Sequence, residues 1–238
     1  MVWPDHYERW LDFQSILKER TYTMLVKEAL KYGKISNGNT KMPGTTYSID
    51  AFACITGSKL AKVVGSVCNK CYAIRIQKIR PSVDKGYKLN LSKWLSSDPI
   101  EWIKAMAFLI LRMNKGVLYH RWFDSGDLQS LKMLESICEV AKATPKVKHW
   151  LPTREVGIVS NYYKKHNAPF PSNLVVRVSS PMIDGPPLQG GYSNTSTVHT
   201  KGKEHTGHAC PASHQGNQCL DCRACWNMNV KNVSYPKH

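Results

Sequence analysis

The sequence predicts an α/β fold with a largely parallel sheet, either open or curled into a partial (β/α) barrel. Strand-like segments alternate with helix-like segments of roughly 10 to 15 residues, and this alternation requires right-handed crossovers that keep successive strands parallel. With 238 residues and a hydrophobic content of 42%, the chain can bury the core of one large domain. We expect an α/β domain over residues 46–238, preceded by a helical extension over residues 1–45.

Several stretches have the apolar spacing or the end signals of helices. The clearest begins at Asp98 and Pro99, because an Asp N-cap followed by Pro at the first helical position is a typical helix start. The predicted helices occupy residues 3–32, 73–80, 100–113, 130–143 and 155–166. Cys138 lies within one of them and is expected to be a buried free thiol.

Apolar and β-branched runs between these helices predict strands. They occupy residues 47–57, 117–123, 148–153, 173–179 and 195–200. Residues 32–46 and the chain from Cys54 to Cys71 read as loops from their Gly, Asn, Ser and Pro content.

Ligands of parallel α/β sheets bind beyond the carboxyl ends of the strands. Polar residues follow each predicted strand here, and we expect them to converge on one rim. They are Cys54, Asp124, Ser125, Asp127, Thr153, Arg154, Glu155, Arg177, Ser179, Ser180 and His199.

The turn from Asp124 to Asp127 has two interpretations. In the first, Gly126 lets the backbone approach a ligand, while Asp124 and Asp127 receive cationic or hydroxyl groups. In the second, the turn is structural and Asp127 caps the following helix.

Seven of the eight cysteines fall into two groups, which in a chain without a secretory signal indicates metal ligation. The C-terminal set has the spacing Cys-x8-Cys-x2-Cys-x2-Cys and consists of Cys210, Cys219, Cys222 and Cys225. Three thiols in so short a loop favour a [4Fe–4S] cluster over zinc, whose ligands usually come as two separated pairs. His205, His208 and His214 lie in the same stretch and are further candidate ligands, although loop histidines are the simpler interpretation.

The N-terminal set, Cys54, Cys68 and Cys71, supplies only three thiols. Three ligands leave one iron of a cluster open to a small molecule. Alternatively, some of these thiols join the C-terminal set around a single cluster. The spacing therefore does not decide between one cluster and two.

The charge and hydropathy indicate the setting. Lys and Arg outnumber Asp and Glu by 33 to 17, and a net charge of +16 predicts attraction to polyanions, of which DNA or RNA is the commonest. Aromatic residues could stack on bases, but single aromatics at strand positions are more often core. No run of about 18 apolar residues is present, and the charged start of the chain is unlike a signal peptide, so we expect no membrane association.

The motifs resemble the gene product 88 family of bacteriophage and prophage proteins. The matching stretches are AFACITGSKL, VCNKCYA, WFDSGDLQ, HWLPTRE, NLVVRVSSPMIDG, TSTVH, HACPA and CLDCRACW, which span most of residues 47–238. The resemblance implies a phage origin and the host cytoplasm, but no particular reaction.

A looser resemblance is to radical S-adenosylmethionine enzymes, whose three-cysteine loop follows the first strand of a partial barrel. It implies that Cys54, Cys68 and Cys71 hold the cluster, and that the turn from Asp124 to Asp127 meets the amino group of S-adenosylmethionine. The sequence departs from that pattern, because thirteen residues separate Cys54 from Cys68 where three are usual, and no Gly-Gly-Glu is present.

Three functional hypotheses follow. The first is an enzyme of this type acting on a nucleic acid or nucleotide, with Arg154, Glu155 and Arg177 gripping the substrate. The second is a non-catalytic iron–sulfur protein that binds nucleic acid, and the third is a zinc-stabilised regulator.

Overall fold

A single parallel sheet organises the molecule, whose computed structural model describes residues 24–37, 41–114 and 116–237. Seven strands are hydrogen-bonded in the order β1-β2-β3-β4-β5-β7-β6, and each neighbouring pair is parallel. They are β1 (Thr45–Tyr47), β2 (Tyr119–Trp122), β3 (Lys148–Thr153), β4 (Leu174–Ile183), β5 (Thr195–His199), β6 (His208–Ala209) and β7 (Asn232–Pro236). The expected α/β class is confirmed in its open form, with β1 and β6 as the two edges.

The described α-helices lie mostly in the crossovers between strands. They are α1 (Val26–Ala29), α2 (Ile55–Leu60), α3 (Tyr72–Ile79), α4 (Pro81–Ser96), α5 (Pro99–Met113), α6 (Leu131–Ala143) and α7 (Val156–His166). Short 3-10 helices occupy Ala51–Ala53, Pro211–His214 and Ala224–Trp226. The predicted starts of α3, α5, α6 and α7 are confirmed to within about two residues.

Three predictions on the segment from β1 to β2 are wrong, and one falls largely outside the described residues. The strand expected over residues 47–57 ends at Tyr47, and a 3-10 helix at Ala51–Ala53 and the start of α2 take its place. The expected loop from Cys54 to Cys71 contains α2. Helix α4 was not foreseen, because Pro81 follows the end of α3 but is also the first residue of α4. Of the helix expected over residues 3–32, the structure describes residues 24–32, which include α1. Ala29 of α1 is buried in the main core.

Helices α1, α4, α5, α6 and α7 pack into one core against a single face of the sheet. Strands β1 to β5 are consecutive, and right-handed crossovers in one direction place the connecting helices on the same side. Alternate strand residues such as Trp122 and Leu151 point to that side and pack with Trp102 and Met106 of α5. Cys138 of α6 is 2% exposed there, which confirms the expected buried free thiol.

The C-terminal segment covers the other face. Trp226 packs edge-on against Tyr119 and Trp150, with ring centroids 5.3 Å apart in both pairs. Its Nε1 donates to the backbone oxygen of His120 at 2.9 Å. Because every second strand residue faces this segment, the predicted cysteine-rich tail is an integral layer of the fold.

Among the described residues, no helix combines the length and the apolar character that crossing a membrane requires.

Candidate functional site: two cysteine groups

The first cysteine group consists of Cys54, Cys68 and Cys71 and lies at the carboxyl edge of the sheet. Cys54 follows β1 as the N-cap of α2, and Cys71 is the N-cap of α3. The Cys54 thiol lies within electrostatic reach of both other thiols.

The backbone beside two of these sulfurs requires a glycine at position 57. A Cβ at this position would lie 3.7 Å from the Sγ atoms of both Cys54 and Cys68, and 2.9 Å from the Cβ of Cys54. Any side chain at Gly57 would therefore force Cys54 to shift. The same distances place the sulfurs of Cys54 and Cys68 on one side of the α2 backbone, close to Gly57.

Two buried carboxylates hold the backbone around the first group. Glu155 accepts hydrogen bonds from the backbone nitrogen of Thr56 at 2.8 Å and from its Oγ1 at 2.7 Å, which ties the start of α2 to the end of β3. Asp127 accepts from Thr153 Oγ1 at 2.6 Å and from the Arg154 backbone nitrogen at 2.8 Å. The expected convergence of these residues on one rim is confirmed for this part of the site.

Burial shapes the ionisation of this rim. Burial is the main cause that raises the pKa of Asp127, to about 6, while its hydrogen bonds oppose the shift. Burial also raises the pKa of the Cys54 thiol, and the nearby Asp127 carboxylate adds to the effect.

The turn after β2 joins the same rim. The Tyr72 hydroxyl donates to the backbone oxygen of Asp124 at 2.7 Å, and the Asp124 carboxylate pairs with Arg121 at 2.8 Å. Gly126 has a φ of +83°, and a Cβ there would lie 2.8 Å from the backbone oxygen of Ile49. Its close approach is thus to the chain itself, within the protein.

Two further predictions for this turn have clear outcomes. The helix after it is capped by Ser130, whose Oγ accepts from the backbone nitrogen of Met133 at 3.1 Å, so the expectation that Asp127 caps it is wrong. Ser125 is 4% exposed, and its Oγ donates to Gln77 Oε1 at 3.3 Å. Ser125 therefore stabilises the turn from inside the protein and is not exposed to a ligand.

Strand β4 supports the loop that carries Cys68. Its overhanging end pairs with residues 65–67, through bonds from Val67 to Pro181 at 2.9 Å and from Ile183 to Gly65 at 3.0 Å. Cys68 is 8% exposed. The long end of β4 therefore holds in place the Cys68 part of the loop that was predicted from Cys54 to Cys71.

The second cysteine group consists of Cys210, Cys219, Cys222 and Cys225. These four cysteines, with His208 and apolar neighbours, line a small pocket of about 10 Å³ that opens partly to solvent. Backbone bonds from Cys210 to Ser234 at 2.8 Å and from Cys219 to Lys41 at 2.7 Å hold the segment to neighbouring parts of the chain. All four thiols therefore face one space.

Arg177 of β4 holds the loop of this second group. It is fully buried and donates to five backbone oxygens, at distances from 2.8 to 3.3 Å. The acceptors are Thr195, Ala224, Cys225, Asn227 and Val230. A guanidinium has five N–H donors, so none is left for the cofactor role expected of it.

Two guanidinium groups, those of Arg177 and Arg121, interact electrostatically with the thiol of Cys225. Burial raises the pKa of its thiol to about 12, whereas Arg177 and Arg121 act in the opposite direction. Its Sγ lies 3.2 Å from the hydroxyl of Tyr235. A negatively charged group bound by these thiols would therefore be stabilised by two guanidinium groups and a hydroxyl.

The candidate histidines separate into different settings. His208 Nε2 lies 3.4 Å from Cys222 Sγ, at the rim of the pocket. His205 stacks on His199 with ring centroids 4.8 Å apart, and His199 in turn bonds Ser234 at 2.7 Å. His208 is thus the candidate histidine that joins the second group.

Within the described residues, no three or more His, Cys, Asp and Glu side chains are arranged so that they could hold a metal ion. The thiols of each group are neighbours, but they do not form the compact shell of a single ion.

The fold and these two groups define a class of parallel α/β protein with a cysteine-rich layer on the sheet. The family model of Gene product 88 matches residues 18–228, so the chain belongs to this family of phage gene products. The expected membership is confirmed. No curated protein and no solved structure shows significant similarity to the chain.

Proposed function

We propose that this protein is a phage-encoded iron–sulfur protein of the host cytoplasm. In this proposal the first cysteine group holds a [4Fe–4S] cluster with one iron open to a small ligand. The second group holds another cluster with four thiolates. The main support is the proximity of the first group's three cysteines, since Cys54 and Cys68 both approach Gly57 and the Cys54 thiol interacts electrostatically with Cys68 and Cys71.

The donor chemistry fits this cofactor at both groups. Three and four thiols are the sets that bind an open and a closed [4Fe–4S] cluster, respectively. Four thiolates around a cluster carry net negative charge, and Arg177 and Arg121 lie beside Cys225 to compensate it. Buried charges of one sign need such partners.

A cluster and a single ion make different geometric demands. Four thiolates on one zinc lie about 3.8 Å apart, because each Zn–S bond is about 2.3 Å and the angles are tetrahedral. The thiolates of a [4Fe–4S] cluster bind four different irons and lie further apart. Thiols that line a shared space without closing on a point suit the cluster better, which favours it over the zinc-stabilised regulator.

When bound, the open cluster would supply one-electron chemistry and a binding position for a small ligand. The residues around the first group hold its cysteines in position. Glu155 fixes the start of α2 and Asp127 fixes the end of β3, so that Cys54 stays oriented. Arg154 lies within electrostatic reach of Cys68 and gives this rim a positive charge.

S-adenosylmethionine is our candidate small ligand, and a nucleic acid or nucleotide is our candidate substrate. The placement of three thiols after the first strand, beside the turn from Asp124 to Asp127, supports this proposal. A second candidate is a non-catalytic iron–sulfur protein that binds nucleic acid. It is favoured by the thirteen residues between Cys54 and Cys68, which form α2 and a following loop.

Anaerobic purification with iron, sulfide and zinc quantified tests the cofactor. We expect about eight irons for each chain, four of which are lost in Cys54→Ser and four in Cys222→Ser, with Cys138→Ser as the matched control. A change in the EPR signal of the reduced protein on adding S-adenosylmethionine supports the enzyme. A signal that ignores the compound favours the second candidate, and zinc alone overturns the proposal.

A further inference from the structure

Half of the net charge of the chain lies in one segment. Residues 55–96, which contain α2, α3 and α4, have nine Lys and Arg residues against the single acid Asp84, a net +8 of the total +16. The nine are Lys59, Lys62, Lys70, Arg75, Lys78, Arg80, Lys85, Lys88 and Lys93. We call this the basic surface.

Most of these charges are exposed and have no acidic partner among the described residues. Lys88 pairs with Asp84 at 2.8 Å, and Lys93 donates to the backbone oxygen of Leu30. The other seven are exposed and form no ion pair with any described residue. A solvated charged face usually alternates its signs, whereas this one is positive apart from Asp84.

The basic surface borders the first cysteine group. Helices α2 and α3 begin at Cys54 and Cys71, so their charged sides extend directly from the candidate site. Two aromatic side chains are exposed at the same place, with Phe52 at 47% and Tyr72 at 49% of full exposure. The Tyr72 hydroxyl is bound to Asp124, which fixes the position of the ring.

We propose that single-stranded nucleic acid docks on the basic surface and places a nucleotide at the first cysteine group. Phosphates contact the Lys and Arg side chains, and bases stack on Phe52 and Tyr72. Positive charge beside exposed aromatic rings is the combination that single strands require, since every base has a stacking face. The proposal deepens the proposed function, because it supplies the substrate class of that site.

An acidic protein is the competing partner for such a surface. It would satisfy the positive charges but would not need the two exposed rings. The aromatic residues therefore favour the single strand, and their substitution separates the two partners.

Two variants of equal charge test the proposal on anaerobically purified, metal-quantified protein. One changes four basic-surface residues, Lys59→Gln, Lys62→Gln, Lys78→Gln and Lys85→Gln. The matched control changes four exposed residues on the side where the strands begin, away from the carboxyl ends that carry the first group. They are Arg112→Gln, Lys146→Gln, Lys148→Gln and Lys164→Gln. Affinity for a short fluorescein-labelled single strand is measured by anisotropy at several salt concentrations.

We expect the first variant to reduce the slope of log affinity against log salt by about 3, since each phosphate contact to a single strand contributes about 0.7. The control should keep the parent slope. Phe52→Ala should keep the slope but weaken binding roughly five- to 150-fold, the range for one lost base stack. Equal losses in both charge variants would overturn the proposal.

The remaining outcomes also decide between partners. If polyglutamate binds as well as the oligonucleotide and depends on the same lysines, the surface takes polyanions in general and the proposal is wrong. A duplex that binds more tightly than the single strand also overturns it. Iron content reports on the cluster independently, so binding without iron refutes the proposed function but leaves the docking intact.

Discussion

Replacing Arg177 with Lys is expected to loosen the second cysteine group while leaving the charge of the core unchanged. The guanidinium donates to five backbone oxygens, four of them in residues 224–230 and the fifth on Thr195. A lysine ammonium has three donors, so at least two buried oxygens would lose their partner.

The size of the effect follows from that count. A buried acceptor left without a hydrogen bond costs about 1–3 kcal/mol, so two of them predict a loss of about 2–6 kcal/mol in the free energy of unfolding. A typical domain has a total of roughly 5–15 kcal/mol, which makes this change large. Arg177→Met should cost at least as much, because it removes all five bonds.

Urea unfolding of the reduced, metal-free protein under anaerobic conditions measures the loss. Alkylation of the thiols followed by mass spectrometry locates it, and Cys222 and Cys225 should react faster in Arg177→Lys than in the parent. Arg112→Lys on the exposed end of α5 is the control, with an expected change of about 0.5 kcal/mol or less. Unchanged stability and unchanged alkylation in Arg177→Lys would refute the role of Arg177 in holding the loop.

Three further changes test other parts of the structure. Burial lowers the pKa of His149 to about 3. Below about pH 6.5 the imidazole is therefore protonated in the unfolded chain but not in the folded protein. The free energy of unfolding should fall on acidification, by about 2 kcal/mol at pH 5 from this residue. Gly57→Ala should reduce iron at the first cysteine group, because the added methyl would lie 2.9 Å from the Cβ of Cys54 and force that side chain to shift. The same contact should offset the roughly 1 kcal/mol that Ala gains over Gly in a helix. Glu155→Gln removes one acceptor for Thr56 and should cost about 1–3 kcal/mol in urea unfolding.

Each has a control in the chain. Gly86→Ala in α4 meets no atom within 4 Å, so it should stabilise the protein without loss of iron. Equal iron content in Gly57→Ala and Gly86→Ala would contradict the requirement for a glycine at position 57. His149→Phe should flatten the acid dependence between pH 6.5 and 5, and an unchanged slope would assign it to His120 or other groups. Glu204→Gln on an exposed loop should leave stability unchanged.

The parts of the fold that local chemistry determines were predictable. Helix α5 begins where Asp98 and Pro99 indicate, because Asp98 Oδ1 accepts from the backbone nitrogen of Ile100 at 2.9 Å. Strands β2 to β5 follow from apolar runs with turn residues between them. These signals depend on neighbours in sequence, so one sequence is enough to show them.

The parts that distant contacts determine were not predictable. Strand β6 has only two residues and exists because it pairs with β7, and no α-helix between them indicates a crossover. Helix α2 has Gly57 in its interior, which argues against a helix by propensity. Its start is held by Glu155, 99 residues away.

The candidate site shows the same division. The rim of Asp127, Thr153 and Glu155 was predictable, since strand ends meet at one edge. The role of Arg177 was not, although a signal existed. A charged residue between Val176 and Val178 lies in a strand covered on both faces, and such a residue needs buried partners.

The reach of β4 has a consequence for synthesis on the ribosome. Cys68 is made early, but the strand end at Pro181 that supports its loop follows about 110 residues later. At about 5–20 residues per second, the thiols of the first group emerge roughly 5–20 s before their support exists. During that interval the loop that carries Cys68 lacks the backbone pairing that holds it in the folded protein.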